Sequence, residues 1–153
     1  MEIAEPFSKL DENNRPQGLA VDLIGAMLEK VNSKAEFFIC PFARCLRLVE
    51  QGDADLIFGL IKTPDRTENL AFIEPAFIQS MTKVSFYQLE SSTVEITQMS
   101  DVISLNIGVQ RGALHFDEFD NNKAISKIEV TNIADLIGML QKKRIDAFVM
   151  PQL

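Results

Sequence analysis

The stretch GDADLIFGLIKTPDRTENLAFIEP, residues 52–75, decides the fold expected for this chain. Its apolar run at residues 56–58 is typical of a strand that is covered on both faces of a parallel sheet. Gly59 then favours a sharp corner, because glycine adopts backbone angles that other residues avoid. Thr63 and Pro64 follow as a hydroxyl N-cap and a first-turn proline, which together indicate a helix start. The stretch therefore predicts a strand, a corner and a capped helical turn.

Arg66 lies one turn into this predicted helix and is the strongest candidate for contact with a ligand. The first backbone N–H groups of a helix have no partner within the helix and attract anions. An arginine guanidinium can hold a carboxylate through two parallel hydrogen bonds. The same pattern also fits a solvated surface arginine, because such motifs produce many false positives. Spacing alone therefore indicates an anion-binding corner and leaves the surface role open.

The segments before this stretch predict alternating helices and strands. Apolar residues recur at helical spacing over residues 18–31, and a second helix is predicted from Pro41 to about Gln51, where Gly52 stops it. A strand is predicted at 35–40 between these helices. Strand and helix in this rhythm are typical of a parallel α/β sheet.

A second set of α/β elements is predicted after a strand at residues 82–89. Its strands are expected near residues 105–109, 128–130 and 147–150, and its helices from Ala113 and over residues 133–142. The repeated rhythm predicts two lobes, 1–84 and 85–153, with a crossover near 82–90. Small ligands bind in such folds at the carboxyl ends of the strands.

Composition excludes several classes of function. At 153 residues and 46% hydrophobic the chain can bury a core, and its formal net charge of −7 argues against binding nucleic acid. The chain has no apolar run of membrane-spanning length. The residues from Met1 to Glu5 lack the basic start and apolar segment of a signal peptide. We therefore expect a globular chain, and no cofactor is indicated.

The two cysteines and the single histidine carry no catalytic or metal-binding pattern. Cys40 and Cys45 match no zinc spacing, and a disulfide between them requires Cα atoms within about 7 Å. Two buried thiols are the favoured interpretation, with the disulfide left open. His115 has no obvious partner in the sequence, so a surface or capping role is expected rather than catalysis.

Several motifs, in their order along nearly the whole chain, resemble the extracytoplasmic solute-binding proteins, family 3, of amino-acid ABC transporters. The shared motifs are the Pro-Phe opening at 6–7, the Gly-x-x-x-Asp-Leu segment at 18–23, the stretch at 52–75, the Gly-Val-x-x-Gly segment at 108–112 and the Arg-x-Asp-Ala segment at 144–147. The resemblance implies an α/β fold of the type II periplasmic-binding-protein kind, with two lobes joined by a hinge crossover.

The resemblance also implies a set of ligand contacts. Arg66 would hold a carboxylate, Gly59 would offer its carbonyl to a cation, and Phe42 would stack on the ligand. Phe42 is equally compatible with an ordinary core position. The other implied positions are Arg44, which also fits a solvated helix arginine, and Ile61, Gly112 and Ala113.

Three departures from the family pattern affect the expected ligand. Leu60 and Ile61 stand where a hydroxyl usually follows the corner glycine, and Ala113 stands where a threonine is usual. Pro151 occupies the place of an aspartate that pairs with the ligand ammonium in amino-acid binders. A buried ammonium without a counter-charge is costly. A more apolar carboxylate is therefore an alternative to an α-amino acid.

The expected function is binding of a small carboxylate-bearing solute for ABC-type import, with a permease as partner and a periplasmic location. The alternatives are a sensor domain of a signalling receptor or a degenerate member without ligand. An enzyme is not expected, because Glu5, Asp22 and Glu74 all fit structural roles. The family continues beyond both ends of this chain, so a fragment with exposed sheet edges, and a homodimer that completes its sheets, are also expected.

Overall fold

The computed structural model describes residues 1–78 and 83–152. The chain forms two compact units, Met1–Leu70 and Ala71–Leu153, which we call the N-terminal and the C-terminal unit. The predicted lobe boundary between residues 84 and 85 stays a prediction. Within the described ranges, no helix has both the length and the apolar character needed to cross a bilayer.

The N-terminal unit consists of a small hairpin and three helices. The antiparallel strands β1 (Lys9–Leu10) and β2 (Pro16–Gln17) precede the helices α1 (Leu19–Glu29), α2 (Phe42–Glu50) and α3 (Pro64–Thr67). The helices predicted at 18–31 and from Pro41 are thereby confirmed to within two residues at each end. Helix α1 buries Ala20 and Ile24, and Gly52, with a φ of 78°, follows the end of α2.

The strands predicted at 35–40 and 56–58 are wrong: within the described part of the N-terminal unit, the hairpin is the only sheet. Cys40 instead donates its backbone N–H to the carbonyl of Met1 at 3.0 Å. Leu56, expected to be covered on both faces, is 38% exposed. An apolar run favours burial, but a strand also requires a neighbouring strand with which to form ladder hydrogen bonds.

The C-terminal unit is built on a four-stranded mixed sheet. Its strands are β3 (Val84–Tyr87), β4 (Asn106–Gln110), β5 (Ser126–Val130) and β6 (Ala147–Pro151), in the spatial order β3-β6-β4-β5. Strand β4 is parallel to both β5 and β6, whereas β3 is antiparallel to β6. The helices are α4 (Asp117–Asp120) and α5 (Ile133–Gln141).

Most of the elements predicted for this unit are confirmed. The predicted strands near 105–109, 128–130 and 147–150 and the helix at 133–142 correspond to β4, β5, β6 and α5. The predicted strand at 82–89 corresponds to β3, and its first residue, Thr82, lies outside the described residues. The helix predicted from Ala113 is wrong in its start, because α4 is a single turn that begins at Asp117.

The core of the C-terminal unit lies against both faces of this sheet. One cluster contains Phe119, Ile107 and Val102, which are all 0% exposed, and the other contains Leu136 and Leu140 from α5. Gly108 in β4 allows α5 to approach closely, because a Cβ atom there would lie 2.8 Å from Leu136 Cδ2.

Asp101 caps the 3₁₀ turn Met99–Val102 through its carboxylate. Its Oδ2 atom accepts hydrogen bonds from the backbone N–H groups of Thr97 at 2.9 Å and Gln98 at 3.0 Å, and Gln98 Nε2 donates to Oδ1 at 3.2 Å. The hydrogen bond from the Thr97 backbone, followed by those from Gln98, lowers the pKa of Asp101 to about 2. The ionised carboxylate therefore stabilises the folded state.

We expect this capping contribution to be lost as the pH falls from about 4 to about 2. The folded pKa is below the unfolded value of 3.8, so the stabilisation is present above pH 4 and disappears as Asp101 becomes protonated. Urea unfolding at pH 5, 3 and 2 measures this loss. The Asp101→Asn variant should show a smaller loss of stability over the same range, and an identical pH dependence in both proteins would contradict the assignment.

Candidate functional site

The predicted capped turn is present at α3 in the N-terminal unit. Thr63 is the N-cap, and its hydroxyl oxygen accepts the backbone N–H of Arg66 at 3.4 Å. Pro64 occupies the start of the helix, where a backbone N–H would have no acceptor within the helix, so its absence breaks no hydrogen bond. The hydroxyl of Thr67 donates to the Pro64 carbonyl at 2.6 Å. This single turn fixes the backbone from which the Arg66 side chain extends.

Arg66 is buried, so the interpretation as a solvated surface arginine is wrong. The residue is 8% exposed, and its Nη1 atom donates to the backbone carbonyl of Ile61 at 2.9 Å. Burial lowers the pKa of Arg66, and the negative charge of Glu50 opposes that shift. A guanidinium remains protonated at neutral pH in proteins, so the turn holds a largely desolvated positive charge.

The geometry at Arg66 suits recognition of an anion. A guanidinium is planar and presents its N–H donors as a fork that matches a carboxylate. The Ile61 carbonyl fixes the orientation of this group, and burial strengthens its interaction with an opposite charge. Ordering of the side chain before binding lowers the entropic cost of binding. The arrangement can therefore hold a small carboxylate.

The remaining predicted residues of the N-terminal unit lie on α2 and in the corner before α3. Gly59 is exposed with a φ of 75°, a backbone angle that other residues rarely adopt. Ile61 is 41% exposed and contributes the carbonyl that accepts a hydrogen bond from Arg66. Phe42 is half-buried at the first position of α2. Arg44 is exposed, with Cζ 5.8 Å from the Phe38 ring centroid.

Gly112 and Ala113 lie in the C-terminal unit, directly after β4. Arg111 donates its backbone N–H to the Val130 carbonyl at 2.9 Å, and Ala113 donates to Gln110 at 3.1 Å. Gly112 has a φ of 79°. The predicted pair therefore lies at the carboxyl end of β4, the edge at which ligands bind in open α/β sheets.

The favoured interpretation of two buried thiols is wrong, because Cys40 and Cys45 form a disulfide. Their Cα atoms lie 5.5 Å apart, and the two residues are 6% and 4% exposed. The sequence left this pairing open, since it gave no distance between the strand-like segment and the helix. The bond joins the residue before Pro41 to the first turn of α2.

His115 has a partner and a buried side chain, so of the expected surface or capping role the surface alternative is wrong. Its side chain is 4% exposed, and Nδ1 lies 3.1 Å from Asp120 Oδ1. The other carboxylate oxygen of Asp120 accepts the backbone N–H of His115 at 2.7 Å. The ring also packs edge-on against Phe119. An aspartate five residues after His115 was the signal in the sequence that could have indicated the pair.

One concavity of about 400 Å³ lies on the C-terminal unit between β5 and α5. Its lining combines acidic Glu129 and Asp135 with basic Lys142 and Arg144 and contains none of the predicted site residues. Among the described residues no cluster of three or more potential metal ligands occurs. The candidate site therefore remains the turn that carries Arg66.

Solved periplasmic binding proteins of the type II fold superimpose on nearly the whole chain, and this α/β fold class is confirmed. Residues 2–99 match the family model of bacterial extracellular solute-binding proteins, family 3, and the chain belongs to this family. The resemblance predicted from the motifs is thereby confirmed.

Three relatives illustrate the similarity. A probable histidine-binding protein of Neisseria gonorrhoeae is 29% identical over 94% of this chain, and the chain spans 54% of that relative's length. An arginine-bound variant of ArgBP from T. maritima superimposes with a TM-score of 0.84 at 20% identity, over 97% of this chain and 68% of the other. A solute receptor for L-cysteine of N. gonorrhoeae gives 0.79 at 21% identity, over 96% and 60%.

Proposed function

We propose that this chain binds a small, amino-acid-like carboxylate and hands it unchanged to an ABC-type importer. The single observation that carries the proposal is the buried guanidinium of Arg66, oriented by the Ile61 carbonyl on a capped turn. Membership of a solute-binding family and relatives named for histidine, arginine and cysteine binding support an amino-acid-like ligand. The proposed role is binding without chemistry.

A location outside the cytoplasm follows from the same proposal. The family is one of extracellular proteins, and the Cys40–Cys45 disulfide adds physical support. Disulfides persist in oxidising compartments and are rare where glutathione and thioredoxin keep thiols reduced. Contacts from Gly59, Phe42, Arg44, Gly112 and Ala113, the hinge and the homodimer stay predictions.

The identity of the ligand depends on what balances its charge. Pro151 is the last residue of β6 and stands where the family resemblance implies an aspartate. Its side chain carries no charge that could balance the ammonium group of an amino acid. A ligand screen should therefore include both α-amino acids and carboxylates that lack the amino group. L-histidine, L-arginine and L-cysteine represent the first class, and octanoate and 3-phenylpropionate represent the second.

We expect at least one member of this panel to stabilise the wild-type protein in a thermal-shift assay. A ligand at a hundredfold excess over its dissociation constant adds about 2.7 kcal/mol to the free energy of unfolding. In Arg66→Gln the dissociation constant should rise at least about 30-fold, because truncation of one partner of a buried charge pair costs about 2–5 kcal/mol.

The matched control is Arg47→Gln, which removes an exposed arginine from α2. It should retain the wild-type dissociation constant. The circular dichroism spectrum of ligand-free Arg66→Gln shows whether the variant is folded, and so whether weaker binding reflects the lost guanidinium or a loss of folding. A full thermal shift in Arg66→Gln, or no stabilisation of the wild type by any member of the panel, would overturn the proposed function.

A further inference from the structure

We propose that the outer edge of β5 pairs antiparallel with the same edge of a second copy of this chain, about a two-fold axis at Ile128. Strand β5 lies at one end of the four-stranded sheet, and within residues 1–78 and 83–152 only β4 pairs with it. The inference goes beyond the proposed function, because it concerns an interaction surface of the C-terminal unit and requires no ligand.

The main chain of β5 gives the first observation. The Val130 carbonyl accepts the N–H of Arg111 at 2.9 Å, so the polar groups of Val130 point towards β4. Successive residues of a strand direct their N–H and C=O groups to alternate sides, so Ile128 also faces β4, whereas Lys127 and Glu129 face the outer edge. No main-chain hydrogen bond joins Lys127 or Glu129 to another described residue. Such an edge is a template for pairing with a further strand.

The two residues that face the edge carry opposite charges on the same face of the sheet, because they are two positions apart in a strand. Lys127 Nζ donates to the backbone carbonyls of Asp120 at 2.7 Å and Asn122 at 3.1 Å. An ammonium group has three N–H donors, so one remains for a further acceptor. Glu129 contacts Arg111 through Oε2 at 2.9 Å, and its side chain is 54% exposed. Each charge can therefore take part in a contact across the edge.

One two-fold register satisfies the main chain and the charges together. With Ile128 on the axis, Lys127 of one copy lies opposite Glu129 of the other, and the reverse. Each such pair exchanges both main-chain hydrogen bonds, with Cα atoms about 5.5 Å apart, and places opposite charges side by side. An axis at Lys127 or at Glu129 would instead place like charges opposite each other, which is destabilising. The order of the charges therefore favours a single register.

The surroundings of the edge leave space for another strand. The concavity of about 400 Å³ lies beside β5, and the α5 residues that line it include the small Ala134 and Gly138. Charged side chains on an edge strand usually prevent pairing. Here the two signs disfavour the wrong registers and match the reversed sequence of the same strand. Charge complementarity therefore favours a second copy over an unrelated strand as the partner.

Sedimentation equilibrium over protein concentrations from about 10 μM to about 1 mM tests the proposal. We expect the wild type to shift from monomer towards dimer as the concentration rises. In Glu129→Lys the dissociation constant of the dimer should rise at least about 10-fold, because the altered pair occurs twice in each dimer and lysines then face one another. The matched control is Glu90→Lys, which makes the same charge change at an exposed position after β3, at the other end of the sheet. It should dimerise like the wild type.

A mixture of Glu129→Lys with Lys127→Glu tests the register itself. Neither variant should dimerise alone, whereas the mixture should form heterodimers, because each lysine then faces a glutamate. Circular dichroism verifies that Lys127→Glu is folded, since this change also removes the bonds to the Asp120 and Asn122 carbonyls. A mixture of folded variants that stays monomeric would overturn the inference.

If Lys127→Glu does not fold, amide hydrogen exchange of the wild type, followed by NMR, replaces the mixture. The amides of Lys127 and Glu129 should exchange more slowly as the protein concentration rises, whereas the amide of Ile128, on the β4 side, should not change. Exchange at Lys127 and Glu129 that does not depend on concentration would overturn the inference. A wild type that stays monomeric at about 1 mM, or a Glu129→Lys variant that dimerises as strongly as the wild type, would do so as well.

Discussion

Phe119→Ala is expected to reduce the free energy of unfolding by about 3–5 kcal/mol, the usual cost of truncating a fully buried phenylalanine. Phe119 is 0% exposed and packs edge-on against the Phe86 ring, with centroids 5.7 Å apart. The His115 ring contacts it at 5.5 Å, and Lys127 Nζ lies 5.0 Å from its centroid. Removal of the ring therefore leaves a cavity and breaks the contacts that hold α4 on the sheet.

Chemical denaturation monitored by circular dichroism measures this change. Phe77→Ala is the matched control in the same unit, because Phe77 is 42% exposed, and it should cost much less. Phe119→Leu should fall between the two, since it keeps part of the buried volume. A loss in Phe119→Ala no larger than that in Phe77→Ala would contradict the packing described for this core.

Gly18→Ala is expected to reduce the free energy of unfolding by about 2–4 kcal/mol, from backbone strain and a steric clash together. Gly18 precedes α1 with φ 122° and ψ 172°, a region that is essentially restricted to glycine. A Cβ atom would lie 2.6 Å from the carbonyl oxygen of Phe7. That carbonyl also accepts the N–H of Ala20 at 3.0 Å, so it is not free to move away.

The control for this variant is Gly25→Ala in the same helix. A Cβ atom at Gly25 would meet no atom within 4 Å, and its backbone is helical. Alanine there should stabilise the protein by about 0.5–1 kcal/mol through a better helix propensity. Thermal unfolding of both variants gives the comparison. A Gly18→Ala variant as stable as Gly25→Ala would show that the described approach of α1 to residue 7 is wrong.

The sequence predicted the C-terminal unit better than the N-terminal unit for a physical reason. In β4, β5 and β6 the apolar runs have parallel neighbours in the same unit, so hydrophobicity and hydrogen bonding agree. The runs at 35–40 and 56–58 are also largely apolar, but they do not form ladder pairs with one another in the described structure. Leu56 and Phe38 in these runs are 38% and 55% exposed, so both the burial and the pairing of an apolar run depend on a second segment that packs beside it.

The candidate site shows the same limit at the level of single residues. Thr63 and Pro64 carry local signals, so the capped turn beneath Arg66 could be predicted. The burial of Arg66 and its bond to the Ile61 carbonyl depend on the path of the chain at 59–62, which spacing does not encode. The Cys40–Cys45 bond likewise depended on a distance of 5.5 Å between Cα atoms that the sequence left open.

The central claim is that Arg66 holds the carboxylate of the ligand. The most direct test is a thermodynamic cycle in which Arg66 and that carboxylate are changed separately and together. Isothermal titration calorimetry compares the best panel ligand with its primary amide, in wild type and in Arg66→Gln. We expect the amide to bind the wild type at least about 30-fold more weakly than the acid, and the variant to bind both with similar affinity. An Arg66→Gln variant that prefers the acid as strongly as the wild type does would show that another residue holds the carboxylate.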